Sequence, residues 1–205
     1  MTGRVVCVSR TLGAGGEEMA RLVAERLGFR YVDDEIIVRA ANAAGVSVDE
    51  VERAEHTRPL ALRVIEALAA VPVVGETGEV FVLPQQQSVS YDQLIEHVIR
   101  EVASEGNVVV VAHGASIPLA GVDGVLRVLA TASPQVRAAR VSARQGLGAK
   151  AAEKAVEASD RERAQYLKRF YGVGHEQPVH YDLTINMDAL SPSRAADLVV
   201  QAAKG

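Results

Sequence analysis

Lysine is scarce and unevenly placed. Of the 22 basic residues only four are lysine (Lys150, Lys154, Lys168 and Lys204), and none precedes position 150. Whatever the N-terminal part binds, it cannot use a lysine. Cysteine occurs once, as Cys7, which excludes an intramolecular disulfide and a cysteine metal cluster. No apolar run approaches the roughly 20 residues that a membrane helix needs. The start, Met-Thr-Gly-Arg, runs straight into a strand-like segment, which predicts that there is no signal peptide. Positive charge is also in deficit. The 22 basic side chains face 26 acidic ones, a net charge of −4, which argues against a general nucleic-acid binder. These absences together predict a cytoplasmic protein.

What is present is a chain of 205 residues, 48% hydrophobic and 23% charged. That is long enough to bury a core without staples, as one domain or one domain with a small mobile lobe. Its charge is segregated. Asp33, Asp34, Glu35, Asp49, Glu50, Glu52 and Glu55 stand against Arg39 and Arg53 between positions 33 and 55. Between Arg137 and Arg169 nine bases face four acids, Glu153, Glu157, Asp160 and Glu162. Such a local excess reads either as an anion-binding lobe or as a solvated helix pair with ordinary surface arginines.

Short β-branched runs separated by helical patterns predict a parallel sheet covered on both faces. The strands are Val5–Val8, Val108–Val111 and Leu126–Leu129, with Leu183–Ile185 as a fourth. The helices run over Glu17–Leu27, Tyr91–Ala103, Pro134–Arg144 and from Pro192 to about Ala203. Ser133-Pro134 and Ser191-Pro192 have a capping serine followed by proline at the first helical position. The segment Val71–Ser90 has no clear period and reads as a loop or a small hairpin turning at Glu76-Thr77-Gly78. The order of elements is that of a doubly wound α/β fold with two insertions.

The most informative segment is strand, glycine-rich turn, helix: Val5 to Ser9, then Arg10-Thr11-Leu12-Gly13-Ala14-Gly15-Gly16, then Glu17 onward. In that context backbone N–H groups converge and the helix N-terminus adds partial positive charge, a cradle for phosphate. The bland alternative is a tight turn with no ligand. The strict phosphate-loop pattern G-x-x-x-x-G-K-[ST] fails, since Gly16 stands where the lysine should be and Glu17 and Glu18 follow. The dinucleotide pattern G-x-G-x-x-G fails as well. Arg10 is the nearest cation and can clamp phosphate oxygens with parallel hydrogen bonds. Ser9 and Thr11 offer hydroxyls for phosphate or Mg²⁺.

Ser9-Arg10 followed by Gly13-Ala14-Gly15-Gly16 resembles the loop of the cytidylate kinase-like family, S-R-E-x-G-S-G-G-R-E-I-A. The likeness continues in order along the chain. Tyr31-Val32-Asp33-Asp34-Glu35-Ile36-Ile37 resembles Y-x-D-R-E-I-I, and Val108 to Gly114 resembles the strand ending in V-G-R-G. Ser159 to Tyr166 is similar to the lid pattern D-x-x-R-A-x-Y, and His180 to Asn186 to the closing strand N-Y-D-L-x-L-N.

The resemblance implies a three-layer P-loop kinase-like fold over 1–205, a parallel sheet flanked by helices. Within it lie a glycine-loop unit (1–32), a helical acceptor insert (about 33–90) and a basic helical lid (about 137–172). It implies ATP-dependent phosphoryl transfer to a nucleoside monophosphate such as CMP or dCMP, with Mg²⁺. Ser9, Arg10, Thr11, Gly13, Ala14, Gly15 and Gly16 would hold the donor phosphates. Arg137, Arg140, Arg144, Arg161 and Arg163 would join Arg10 in neutralising the moving group. Asp33, Asp34, His113 and Asp160 fall on the substrate side, and Asp33 and Glu17 are the metal candidates. Asp160 either orients a lid arginine or caps a helix beginning near Arg161. Of Arg161 and Arg163, one is expected to bind and one to pair with an acid. The partners implied are small-molecule nucleotides, with no nucleic acid and no membrane. Whether 59–90 shapes an acceptor pocket or a homodimer contact stays open.

Three family cation positions are changed: Glu17, Asp34 and His113 stand where the family has arginines. Charge-assisted contacts are worth about 1.5–3 kcal/mol each, so unreplaced losses would slow transfer by orders of magnitude. His113 is a cation only when protonated. A second expectation is therefore a nucleotide or anion sensor without catalysis on the same fold. A third is an interaction protein that has lost the ligand.

Overall fold

The computed structural model describes residues 5–33, 73–74, 80–81, 91–111, 114–174 and 176–205. The chain divides into two compact units, residues 1–33 with 99–205, and residues 34–98. The expected acceptor insert, with Asp34, falls almost wholly outside the described residues, and so does His113.

The first unit is built on a parallel sheet. Its strands are β1 (Val5–Arg10), β2 (Arg30–Val32), β5 (Val108–Val110), β6 (Val125–Thr131) and β7 (Leu183–Asn186), in the order β2-β5-β1-β6-β7. β1 is central. Val5 to Val8 are all buried, because helices cover both faces and every side chain of a central parallel strand needs an apolar neighbour. Its register sets Val6 beside Val109 and Leu126. Helix α1 (Gly16–Leu27) packs on α5 (Pro192–Lys204), with Met19, Val23, Ala195, Ala196 and Val199 in one core with the sheet. α2 (Tyr91–Glu105) precedes β5.

The serine-proline signals define helix starts as expected. Ser133 Oγ accepts from Val136 N at 3.4 Å ahead of α3 (Pro134–Gln145), and Ser191 Oγ from Arg194 N at 3.3 Å ahead of α5. The basic stretch spans two helices, α3 and then α4 (Ala149–Tyr171), which runs unbroken and closes on Gly172 in the left-handed region. No helix begins near Arg161, so the capping role for Asp160 is ruled out. β2 was not evident in the sequence. It is an edge strand of three residues, defined by pairing with β5 and too short to show a period. In the second unit, β3 (Val73–Val74) and β4 (Val80–Phe81) pair antiparallel, the hairpin alternative for that segment.

β6 and β7 are tied by Asp182. Its carboxylate accepts from Arg127 N (2.8 Å), Nε (3.1 Å) and Nη2 (2.6 Å), and these donors hold it below the usual carboxylate range. A depressed acid contributes stability above its unfolded pKa, about 3.9, and loses it as pH falls through the lower native value. Asp182→Asn is expected to be less stable than wild type at pH 7. The two unfolding curves should converge on acidification below about pH 4, read by urea denaturation across pH.

Candidate functional site

β1 ends at Arg10, at the carboxyl edge of the sheet, where α/β proteins place their ligands. The chain then turns through Thr11–Gly15 into α1. Gly13 (φ 78°) and Gly15 (φ 87°) are left-handed, and Ala14 N–H donates back to Thr11 O at 3.0 Å. A Cβ at Gly16 would lie 2.8 Å from Ala130 Cβ and from Arg10 Cβ, so the loop can seat on the sheet only with glycine there. The N–H groups of the first turn of α1 have no intrahelical acceptor, and Gly15 offers no side-chain cap.

Two groups at this turn lack partners. Arg10 Nε and Thr11 Oγ1 are both buried and unbonded. Buried polar atoms without partners cost about 1–3 kcal/mol each, so such atoms in a native protein call for a partner. A phosphate oxygen fits both, since each is a donor. Arg10 also reaches Asp33 Oδ2 at 3.4 Å, and the Tyr31 hydroxyl donates to the same oxygen at 3.2 Å. Burial, and next the Asp33 charge, push the Tyr31 phenol up to about 12, so it stays a neutral donor.

A second cluster adjoins the first through Ser9. The Glu176 carboxylate accepts from Ser9 Oγ (2.9 Å), from Arg163 Nε (2.9 Å) and Nη2 (2.7 Å), and from the Tyr181 hydroxyl. Arg163 Nη2 and the Tyr181 hydroxyl also reach Ser9 Oγ, the latter at 3.1 Å. Tyr181 has a single hydroxyl proton, and with it on Glu176, Ser9 Oγ donates to Glu176, accepts from Arg163 and keeps one acceptor site.

The α3 arginines approach the glycine loop from outside. Arg137, buried, makes a bidentate pair with Asp160 (2.8 and 2.6 Å) and reaches Leu12 O at 3.4 Å. Arg140 donates to Ala14 O at 2.9 Å and to Met187 O at 2.8 Å. The structure thus gathers Ser9, Arg10, Thr11, the loop glycines, Asp33, Arg137, Arg140, Asp160 and Arg163 at one edge. Arg144 and Arg161 are exposed. Glu17 pairs with Arg21 at 3.3 Å on the outer side of α1. Glu176 and Tyr181 are additions that sequence reasoning missed. Tyr181 lay within the closing-strand likeness, but nothing local marks Glu176.

The profile of the cytidylate kinase-like family matches residues 5–189. The chain belongs to the cytidylate kinase-like family. A cytidylate kinase from Pyrococcus horikoshii is 26% identical over 190 residues, covering 92% of this chain and 82% of that protein. An uncharacterized protein from Eubacterium ventriosum superimposes with a TM-score of 0.66 at 14% identity, over 97% of both chains. A gluconokinase from Sinorhizobium meliloti superimposes at 0.52 and 13% identity, over 99% of this chain and 94% of that one. The fold is thus the α/β fold of P-loop kinases, and the family is a kinase-like one. In this cytidylate kinase-like chain, which has no loop lysine, the cations gathered at the glycine-loop edge are Arg10, Arg137, Arg140 and Arg163. No helix among the described residues is long and apolar enough to cross a membrane.

Proposed function

We propose that the chain is an ATP-dependent phosphotransferase acting on a nucleoside monophosphate of the CMP or dCMP type. The observation that carries this is the pair of unpartnered buried donors, Arg10 Nε and Thr11 Oγ1, at a glycine turn on the carboxyl end of the central strand. The loop N–H groups and Arg10 hold the donor phosphates. Arg163 neutralises charge on the moving group. Asp33, held by Arg10 and Tyr31, would be a ligand for the Mg²⁺ that accompanies the nucleotide, which needs only one or two carboxylates besides phosphate oxygens. An acceptor phosphate oxygen forms the new P–O bond as the bond from the γ-phosphorus to the ADP oxygen breaks, so the work is positioning and charge neutralisation.

A second reading, a non-catalytic nucleotide sensor, is favoured by one observation: Glu176 already engages two nitrogens of Arg163. A coupled assay with CMP, dCMP, UMP and AMP at millimolar Mg·ATP separates the two. Turnover with CMP or dCMP is expected, and Arg10→Ala should lower kcat/KM about 10- to 100-fold, the worth of one charge-assisted contact. Nucleotide binding without turnover on any acceptor would establish the sensor instead.

A further inference from the structure

Both arms of the Arg140 fork are occupied by backbone carbonyls. Nη1 donates to Ala14 O at 2.9 Å and Nη2 to Met187 O at 2.8 Å. Met187 directly follows β7, so the guanidinium ties the glycine loop to the end of a neighbouring strand. The peptide between Ala14 and Gly15 is trans, like every other described peptide. In a trans peptide the C=O and the N–H lie in one plane and point in opposite directions. Drawing Ala14 O toward Arg140 therefore turns Gly15 N–H away from it. Arg137 does the same, more loosely, to the Leu12–Gly13 peptide, two upstream. Its Nη1 lies 3.4 Å from Leu12 O, which turns Gly13 N–H away from α3.

Left alone, these peptides would not keep that orientation. Gly13 and Gly15 are left-handed, and glycine crosses between backbone regions with little steric penalty. A peptide that ends in glycine can flip and present its oxygen, which would repel a phosphate. The loop also has no lysine to gather phosphate oxygens, so its own N–H dipoles carry more of the grip.

We propose that Arg140 is a positioning residue that locks the Ala14–Gly15 peptide with its N–H directed toward the bound phosphate, and that it does not itself bind the phosphate. This rests on the glycine loop being the phosphate site. It differs from a lid role, in which the guanidinium would leave the loop and close over the transferred group. An ammonium group cannot replace it, since one nitrogen cannot span two carbonyls in the planar fork geometry.

The experiment is calorimetric titration of the full chain with inorganic tripolyphosphate and with ATP, for wild type, Arg140→Lys and Arg140→Met. Thermal melts confirm that each variant is folded. The Gly15 amide is followed in ¹H–¹⁵N spectra. Wild type should bind tripolyphosphate with a large displacement of the Gly15 signal. Both variants should weaken binding about ten- to hundredfold, the worth of a charge-assisted hydrogen bond, and lose the Gly15 displacement. In turnover, KM for ATP should rise while KM for the acceptor holds. Arg140→Lys binding as wild type does, with the same Gly15 displacement, would show that charge alone matters and overturn the proposal. So would wild type binding tripolyphosphate with the Gly15 amide unmoved, a result that needs no variant to fold. Wild type that binds neither probe overturns the phosphate-loop reading and this inference together. Wild type that binds but never turns over refutes only the enzyme reading and leaves the lock to stand or fall on the Gly15 signal.

Discussion

Gly13→Ala is expected to destabilise the protein by about 2–5 kcal/mol and to abolish phosphate binding at the loop. Two independent effects add. Gly13 has φ 78°, where an L side chain costs about 1–2 kcal/mol. Its new Cβ would also lie 2.6 Å from the Arg137 carbonyl oxygen and 3.1 Å from the Arg137 Cα. Those atoms are backbone at the start of α3, fixed by the helix and by the Arg137 N–H bond to Ser133 O. They cannot yield as a side chain would, and such overpacking costs about 1–3 kcal/mol. Gly28→Ala is the control. Gly28 also lies in the left-handed region (φ 66°), but nothing stands within 4 Å of its Cβ position. It should cost only the first of the two effects. Equal losses in the two variants, measured by urea denaturation, would show that contact with α3 contributes nothing.

Asp160→Ala should be more damaging than Arg137→Met, although both break the same ion pair. The partners are unequally buried: the Arg137 side chain is 5% exposed and that of Asp160 is 41% exposed. Removing the acid strands a guanidinium in the interior, with Leu12 O at 3.4 Å and a buried Nε that has no partner. Leaving one member of a buried pair uncompensated costs about 3–5 kcal/mol, and partial exposure of the pair places this case at about the lower end. Removing the arginine instead leaves a carboxylate that water can reach, while methionine fills much of the vacated space. The double variant should recover stability relative to Asp160→Ala alone, because the stranded charge is gone. Denaturant unfolding at pH 7 checks the order. Arg137→Met proving the worse of the two would mean that lost packing, not stranded charge, dominates.

The two predictions concern one junction, where the glycine loop lies on α3 and α3 is tied to α4. The sequence marked its parts separately. The positive charge of 137–169 was visible, as was the i, i+3, i+7 spacing of Arg137, Arg140 and Arg144. Direction was not. Two of those arginines turn to loop carbonyls and the third is exposed, because α3 passes the loop only along its first two turns. Asp160 paired with an arginine as one of its two expected roles required. The other role failed because α4 runs unbroken from Ala149, with no helix start near Arg161. Of Arg161 and Arg163, Arg163 is the one that pairs with an acid, Glu176, while Arg161 is exposed.

What the sequence determined by itself is everything carried by neighbours along the chain. Valine-rich runs define β1 and β5, because burial on both faces demands apolar residues at successive positions. Serine-proline pairs define the starts of α3 and α5, since a cap is a bond over three residues. The glycine turn and the missing lysine were likewise read directly. Tertiary structure alone decided the rest. Ser9 meets Glu176 across 167 positions and Arg163 across 154, and Arg140 meets Ala14 across 126. Such contacts leave no periodicity and no cap signal. They exist because the parallel sheet brings the ends of β1, β6 and β7 to one edge, where the order of strands, not the order of residues, sets which side chains share a site.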